Sequence, residues 1–179
     1  MENLIELFGI SDDLVPQKFK KGHILQSQGD VNSNAYLVKN GLLRSYTIDQ
    51  KGKEHVFMFA PEDWIISDIE SQEFHHPAEL YIECLEDSEL IILNRKHLAS
   101  VELNSQQYQQ RLNKLSRRIA VLQRRMIGMM SSTAQERYEE FLVYYPNLVG
   151  RISQRMIASY LGITPEALSK IRGQIAKNS

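Results

Sequence analysis

The chain has 179 residues, of which 42% are hydrophobic and 24% charged, and its net charge at pH 7 is −1. No apolar run approaches the roughly 20 residues of a membrane-spanning helix, and the amino terminus lacks the basic-then-apolar pattern of a secretory signal. One cysteine, Cys84, excludes an intrachain disulfide framework and a cluster held by several thiolates. We therefore expect a cytoplasmic protein of one large or two small domains.

The charge is divided unevenly along the chain. Residues 1–110 hold 9 Lys and Arg against 18 Asp and Glu, a balance of 9 − 18 = −9. Residues 111–179 hold 12 against 4, a balance of 12 − 4 = +8. A basic carboxyl-terminal third on a nearly neutral protein indicates a polyanionic partner, and double-stranded DNA is the partner we expect.

The amino-terminal half shows a change from helical to β patterning. Residues 1–16 have one apolar side, which predicts a short helix. Residues 18–98 consist of β-rich runs separated at roughly ten-residue intervals by Gly, Asn and Asp, which predicts an antiparallel sandwich or barrel. Asn40-Gly41 is typical of a hairpin turn, and Asp49 to Gly52 forms a second turn signal. Residues 69–77 are polar and indicate a loop, in which one helical turn is an option.

Residues 105–131 return to a helical period. Apolar residues recur at alternating steps of four and three, which is the a/d seam of a coiled coil. A helix of this length is about 40 Å long, and so narrow a stripe requires a matching partner helix. Packing of part of the stripe on the chain's own β-domain is the alternative. We predict a homodimer whose seam comprises Leu112, Leu115, Ile119, Leu122, Met126 and Met129.

The remaining residues predict a group of short helices. Thr133 and Glu136 form a capping box for a helix that ends near Tyr145. Residues 148–152 form a short connector in which a minimal β-ribbon is one option. Ser153 then caps the next helix.

Residues 154–177 carry the pattern of a helix-turn-helix. Ile157 and Leu161 lie one turn apart on the first helix, and Gly162 supplies the positive φ of a sharp turn. Thr164 caps the second helix, whose outward face has the chemistry to enter a DNA major groove. The candidates for reading bases are Pro165, Glu166, Ser169 and Lys170. The candidates for phosphate contacts, which set register rather than sequence, are Ser153, Gln154, Arg155, Thr164 and Arg172.

Each base-reading side chain has a definite chemistry. Glu166 can accept a hydrogen bond from a cytosine amino group, and Lys170 can donate to guanine or to a phosphate. Two such helices related by a dimer axis read half-sites about 34 Å apart. The predicted operator is therefore an inverted repeat.

The order of a β-roll, a long helix and a helix-turn-helix resembles the Crp/Fnr family of bacterial transcription regulators. Its marks are Lys21-Gly22, Gly29-Asp30, the run from Tyr36 to Gly41, the strands from Tyr81 to Leu93, and the helix-turn-helix motif. The resemblance implies an α+β fold and sequence-specific transcription regulation by a symmetric dimer. It implies no enzymatic activity, no membrane partner, and RNA polymerase as a candidate partner.

The resemblance also divides the chain. Residues 1–104 would form an antiparallel, jelly-roll-like β-roll, a sensor domain of the cyclic-nucleotide-binding type. Residues 105–131 would form the dimerisation helix. Residues 132–179 would form a winged-helix-like DNA-binding domain around the helix-turn-helix.

The cyclic-nucleotide pocket departs from the family pattern. Family members that bind cyclic AMP carry a Gly-Glu pair and an Arg-Ser or Arg-Thr that neutralises the phosphate. Here Asp68 can stand in for the Glu, but no arginine lies between Arg44 and Arg95. We therefore expect that cyclic AMP is not a strong ligand. The candidate pocket for another effector comprises Ser67, Asp68, His76 and Ala78.

Other chemistries remain as alternatives. We predict no cofactor and no metal, although any of five histidines could in principle ligate haem: His23, His55, His75, His76 and His97. A cupin-like enzyme would need clustered His and carboxylate ligands, whereas the strands offer isolated histidines. The main competing function is a small-molecule-binding β-roll whose helical tail mediates only protein contacts.

Overall fold

The computed structural model describes residues 14–31 and 33–178, so the helix predicted for residues 1–16 lies almost wholly outside the described residues. In the described part of the chain, eight strands form two four-stranded antiparallel sheets, ordered β1-β8-β3-β6 and β2-β7-β4-β5. The strands are β1 Gln17–Phe19, β2 Ile24–Gln26, β3 Ala35–Asn40, β4 Leu43–Ile48, β5 Glu54–Ala60, β6 Ile65–Ile66, β7 Tyr81–Cys84 and β8 Ser88–Leu93.

The two sheets share a buried core. Val38 and Leu90 come from one sheet and Leu43 and Ile82 from the other, and all four side chains are fully buried. Successive side chains of a strand point to opposite faces of its sheet, and these four side chains point to the faces that the two sheets bury against each other. The α+β fold with an amino-terminal antiparallel β-roll is thereby confirmed.

The turn at Asn40-Gly41 does not close a hairpin, and that prediction was wrong. β3 pairs with β8 and β6, whereas β4 pairs with β5 and β7, so the turn carries the chain between sheets. Gly41 has a φ of +99°, and a Cβ built there would lie 2.4 Å from Ser88 Oγ. Only glycine fits this position without rearrangement. The turn at Asp49 to Gly52, in contrast, joins the paired strands β4 and β5.

Six helices lie in the part of the chain that the structure describes: α1 Ile69–Phe74, α2 Arg95–Ser100, α3 Ser105–Ser131, α4 Ala134–Tyr144, α5 Gln154–Leu161 and α6 Pro165–Asn178. Asn104 and Gln107 form a capping box at the start of α3, and the predicted box of Thr133 and Glu136 starts α4. None of these helices is long and apolar enough to cross a membrane.

Residues 148–152 form hydrogen-bonded turns rather than the β-ribbon considered from the sequence. The backbone N–H groups of Arg151 and Ile152 both donate to the Leu148 carbonyl, at 2.9 and 3.1 Å. The Leu148 side chain is buried, so this connector is part of the core.

The helical carboxyl-terminal part packs directly on the β-roll. A single buried cluster contains Leu42, Val56 and Phe59 of the β-roll together with Phe141 of α4 and Ile157 of α5. The Phe59 and Phe141 rings meet edge to face, with centroids 6.4 Å apart. The orientation of the helix-turn-helix relative to the β-roll is therefore set by a continuous apolar core.

Candidate nucleic-acid interface

The helix-turn-helix is built from locally capped segments. Ser153 Oγ accepts from Met156 N at 3.2 Å and starts α5, and Gly162 ends that helix with a φ of 68°. Thr164 Oγ1 accepts from Ala167 N at 3.2 Å and starts α6. Each cap satisfies a backbone donor that the helix leaves free, and the positive φ turns the chain sharply.

The inner face of the motif is apolar and buried. Ile157, Ala158 and Leu161 of α5 are at most 2% exposed, and Leu168 of α6 is fully buried. Ile171 is 8% exposed and belongs to the same cluster. These contacts fix the two helices against each other and leave the opposite face of α6 outside the core.

The four predicted base-reading residues lie together on the surface. Pro165, Glu166, Ser169 and Lys170 are all exposed and occupy the first turns of α6. Hydrogen bonds from its own backbone N–H and from the Thr164 hydroxyl lower the pKa of Glu166. The carboxylate is therefore ionised at neutral pH and can act only as an acceptor.

The predicted phosphate contacts divide into two groups. Ser153, Arg155 and Thr164 line a cleft of about 600 Å³ between the helix-turn-helix and the β4–β5 hairpin, with Lys53 on the opposite wall. Gln154 is exposed and Arg172 half-buried, and neither lines the cleft. The position of Lys53 in the wall of this cleft could not be predicted, because a lysine in a hairpin turn has no sequence signal for a position beside a distant helix.

Arg125 joins three elements and was also missed as a structural residue. Its Nη2 donates to the Val56 and Tyr160 carbonyls at 3.3 and 3.0 Å, and its Nη1 donates to the Phe57 carbonyl. Its guanidinium lies 4.0 Å from the centroid of the Tyr160 ring. The sequence indicates only a cation beside the helical seam, whereas the side chain ties α3 to both β5 and α5.

Ser159 of α5 provides a second polar connection to the β-roll. Its hydroxyl accepts from Val56 N at 2.9 Å and donates to the Glu54 carbonyl at 2.9 Å. A single side chain thus pairs with two backbone groups of β5.

Arg151 provides the third connection. Its guanidinium donates to both Glu62 and Glu86, at 2.7–3.0 Å, and to the Gly41 carbonyl at 3.1 Å. Hydrogen bonds from Arg151 lower the pKa of Glu62. The basic carboxyl-terminal part is thus attached to the acidic β-roll at the turns that follow β3, β5 and β7.

The seam of α3 is largely exposed on this chain. Leu112, Leu115, Ile119, Met126 and Met129 are 38–67% exposed, and Leu122 is half-buried. Met129 also contacts the helix-turn-helix, because a Cβ on Gly162 would lie 2.6 Å from its methyl group. The stripe therefore packs on its own chain near its carboxyl end and presents apolar surface elsewhere.

The residues of the predicted effector pocket do not converge on one cavity. The Asp68 carboxylate accepts from Ser71 N at 3.2 Å, Glu79 N at 2.8 Å and Leu80 N at 2.9 Å, so it holds the segment around α1 together. Ala78 is 2% exposed, whereas His76 is exposed with its Nδ1 2.9 Å from Glu70 Oε1. Ser67 lines a cavity beside α3, and the other three residues do not line that cavity.

Little in the described part of the chain supports a metal site. Within residues 14–31 and 33–178, no group of three or more His, Cys, Asp and Glu side chains is placed to hold a metal ion. Cys84 is buried, and burial raises the pKa of its thiol to about 11. The thiol is protonated at neutral pH, so it is a poor nucleophile and a poor ligand.

A β-roll joined by a long helix to a capped helix-turn-helix is the architecture of a regulator with a sensor domain and a DNA-reading domain. Residues 16–103 match the family described as "Cyclic nucleotide-binding domain". The transcriptional activator protein Anr of Pseudomonas protegens is 27% identical, over 89% of this chain and 69% of that protein. The fumarate and nitrate reduction regulatory protein of Escherichia coli K12 is 26% identical, over 93% and 72%.

Solved structures show the same fold. FixK2 of Bradyrhizobium japonicum superposes with a TM-score of 0.75 at 22% identity, over 92% of this chain and 86% of that one. A CooA mutant of Carboxydothermus hydrogenoformans superposes with a TM-score of 0.74 at 20% identity, over 98% and 84%. The domain match, the relatives and the shared fold together support a regulator of the Crp/Fnr family.

Proposed function

We propose that this protein regulates transcription as a homodimer that binds an inverted-repeat operator in double-stranded DNA. The observation that carries the proposal is the exposed set Glu166, Ser169 and Lys170 at the start of a capped, rigidly packed α6. These side chains offer one anionic acceptor, one neutral hydroxyl and one cation. Such a set can distinguish base pairs in the major groove.

The exposed seam of α3 supports the dimer. Its apolar side chains would lie in water on an isolated chain, and exposed apolar patches of this kind mark interaction surfaces. The spacing of four and three suits a parallel pairing of two copies of α3. The two α6 helices would then be related by a twofold axis, which requires a symmetric operator.

The effector that we propose for the β-roll is a small molecule other than cyclic AMP. Residues 66–79 contain no arginine and contain Asp68, Glu70, Glu73 and Glu79. A cyclic phosphate placed on this segment would lack its counter-charge and meet several carboxylates. Weak binding of cyclic AMP is therefore the expected result of a titration.

The first experiment tests DNA reading with purified protein. Selection from a random DNA pool should return an inverted repeat with half-site centres about 34 Å apart. Lys170→Ala should weaken binding, and the slope of log affinity against log salt should shrink by about one unit if Lys170 contacts a phosphate. Lys96→Ala, an exposed lysine on α2, is the matched control. If Lys170→Ala left both the affinity and its salt dependence unchanged, the placement of α6 in the major groove would be refuted.

A second substitution separates specificity from affinity. Glu166→Ala should relax base preference at one position in each half-site while lowering affinity less than Lys170→Ala does, because a carboxylate gains no attraction from phosphates. Glu139→Ala, on the exposed side of α4, should leave the consensus unchanged. Weak binding that is independent of salt, with no consensus, would favour a helical tail that contacts only proteins.

The dimer is tested separately. Ile119→Glu places a charge at the centre of the seam, where Ile119 is 55% exposed on the single chain. Sedimentation equilibrium should show a monomer for this variant and a dimer for the wild type. Gln123→Glu, exposed on the same helix outside the seam, should remain dimeric. A dimeric Ile119→Glu variant would show that α3 does not form the interface.

A further inference from the structure

The cleft between the helix-turn-helix and the β4–β5 hairpin has one wall from each of these parts. The phosphate candidates Ser153, Arg155 and Thr164 line one wall, and Lys53 in the hairpin turn lines the other. Pro165, a predicted base reader, lines the cleft as well. The volume of about 600 Å³ far exceeds the roughly 30 Å³ that one water molecule occupies. The cleft therefore continues the predicted DNA-reading surface and is large enough to admit a segment of nucleic-acid backbone.

Two cations of this cleft are available to an anion. The Lys53 and Arg155 side chains are exposed, and the ion pairs found among the described residues include neither of them. The carboxylate in the cleft wall is that of Glu54, and its Oε2 lies 2.6 Å from Arg44 Nη1. Arg44 also pairs with Glu83, at 2.7 Å. Three cations against two carboxylates leave a balance of 3 − 2 = +1, which favours an anionic partner.

The turn that carries Lys53 is held in one shape by Asp49. One carboxylate oxygen of Asp49 accepts from Lys51 N at 2.8 Å and from Lys53 N at 3.0 Å, and the other lies 2.8 Å from His55 Nε2. These hydrogen bonds, that of His55 first among them, lower the pKa of Asp49 to about 2, so the carboxylate is ionised at neutral pH. Because Lys53 contributes its backbone N–H rather than its side chain, a substitution there leaves the turn intact.

The turn is also fixed relative to α5. The Ser159 hydroxyl accepts from Val56 N and donates to the Glu54 carbonyl, both at 2.9 Å. Glu54 directly follows Lys53, and Arg155 lies in the first turn of the helix that carries Ser159. Lys53 and Arg155 are therefore held on facing walls of the cleft by contacts that do not involve their own side chains.

We propose that a backbone phosphate of bound DNA lies in this cleft between Lys53 and Arg155, so that the β-roll itself contacts DNA through its β4–β5 hairpin. This contact depends on the function proposed above and adds a residue of the β-roll to the DNA-binding surface. A phosphate accepts hydrogen bonds from ammonium and guanidinium groups and from hydroxyls such as that of Ser153. DNA is favoured over an acidic peptide because the cleft adjoins α6, whose exposed face would lie in the major groove.

A phosphate bound from both walls would couple the affinity for DNA to the position of the hairpin. Affinity would be highest in the arrangement in which Lys53 and Arg155 reach the same phosphate. A change in the β-roll that moved the hairpin would lower the affinity for every DNA sequence alike, because phosphate contacts carry no base information. Such a change would act on DNA binding without first moving α3.

The test measures DNA affinity by fluorescence anisotropy over a range of salt concentrations, with the operator returned by selection and with a random duplex. Lys53→Met should lower the affinity for both duplexes by about tenfold, as expected for the loss of a charge-assisted hydrogen bond. The slope of log affinity against log salt should shrink by about 0.9 for each cleft that holds a phosphate. Affinity and slope equal to those of the wild type would overturn the proposal.

Lys51→Met is the matched control. Lys51 lies in the same turn and is exposed, but it does not line the cleft. This variant should lose less than about twofold in affinity, because salt screens a charge that makes no direct contact. Equal losses for Lys51→Met and Lys53→Met would mean that only the overall charge of the hairpin matters, which also overturns the proposal. Lys53→Gln replaces Lys53→Met if the urea midpoint of the latter falls below that of the wild type.

Neutral methylphosphonates in the operator locate the phosphate. Placed singly at each backbone position, they should weaken binding by the wild type at the position that lies in the cleft. That position should matter less for Lys53→Met and for Arg155→Met, and it should be the same for both variants, because the two side chains would share one phosphate. Different positions for the two variants would contradict a shared phosphate and overturn the proposal.

The hairpin contact and the reading of bases by α6 can fail separately. If Lys170→Ala weakens binding whereas Lys53→Met does not, the DNA-reading function stands and the hairpin contact is overturned. If Lys53→Met weakens binding whereas Lys170→Ala does not, the hairpin contact is supported and the placement of α6 is refuted. A wild type without affinity for DNA would overturn both.

Discussion

Substitution of Arg151 by Met tests how the DNA-reading part is attached to the β-roll. Arg151→Met keeps the length and apolar stem of the side chain but removes bonds to Glu62, Glu86 and the Gly41 carbonyl. The side chains of the three charged residues are 25–39% exposed, so solvent screens each pair. At about 1 kcal/mol for each carboxylate, near the upper limit for partly exposed pairs, the expected loss is about 2 kcal/mol.

Urea unfolding followed by Trp64 emission measures this loss. The Trp64 ring lies 5.6 Å from that of Tyr145 at the end of α4, so its emission reports separation of the two parts. A loss of about 2 kcal/mol lowers the folding equilibrium constant about 30-fold. Arg155→Met removes a nearby exposed arginine and should change stability by less than about 0.5 kcal/mol. Equal midpoints for Arg151→Met and the wild type would refute the reasoning.

The ion pair of Arg151 and Glu62 also predicts the direction in which the stability of the protein changes with pH. Arg151 lowers the pKa of Glu62 from its ordinary value of 4.5. A carboxyl whose folded pKa is depressed contributes stability above its unfolded pKa and loses it as pH falls through its folded pKa. The stability difference between the wild type and Arg151→Met should therefore be constant from pH 7 to about pH 5 and shrink below pH 4.5. A difference that grows on acidification would contradict this assignment.

Three further predictions concern the β-roll and its contact with α5. Gly41→Ala should cost about 2 kcal/mol or more in urea unfolding, because φ is +99° and the new Cβ would meet Ser88. Ser159→Ala should cost about 1–2 kcal/mol, since it leaves Val56 N and the Glu54 carbonyl without their partner. Cys84, buried with a thiol pKa of about 11, should react with iodoacetamide at pH 8 only as the protein unfolds, as mass spectrometry would show.

The features that the sequence predicted well are local ones. The helix expected over residues 105–131 spans Ser105–Ser131, because a period of 3.5 and its cap residues are read within a few turns. The turn at Gly162 and the caps at Ser153 and Thr133 formed as expected for the same reason. The pairing of β3 with β8 joins residues about 50 positions apart, and no local pattern encodes it.

The residues of the candidate site also divide into those that a local pattern reveals and those that depend on distant contacts. Exposure of the first turns of α6 follows from helical period alone, so the base-reading candidates could be named from the sequence. The roles of Arg125 and Arg151 could not, because a cation on a helix or in a turn is solvated unless tertiary packing brings acceptors to it. Apart from the Tyr160 carbonyl of α5, their acceptors belong to β-roll segments far away in sequence. The sequence also contained no sign that the Asp68 carboxylate accepts hydrogen bonds from backbone donors of its own segment.

The contacts of the β-roll change how a signal would reach the DNA-reading helices. Ser159 and Arg151 connect the β-roll directly to α5 and to the turn before it, so α3 is not the sole connection between the two parts. Arg125 joins α3 both to β5 of the β-roll and to α5 of the helix-turn-helix. A movement of α3 relative to the β-roll must therefore break or carry these polar contacts and repack the aromatic core around Phe59. Because packed cores change between discrete arrangements, such a movement would shift the angle of α6 in steps rather than continuously.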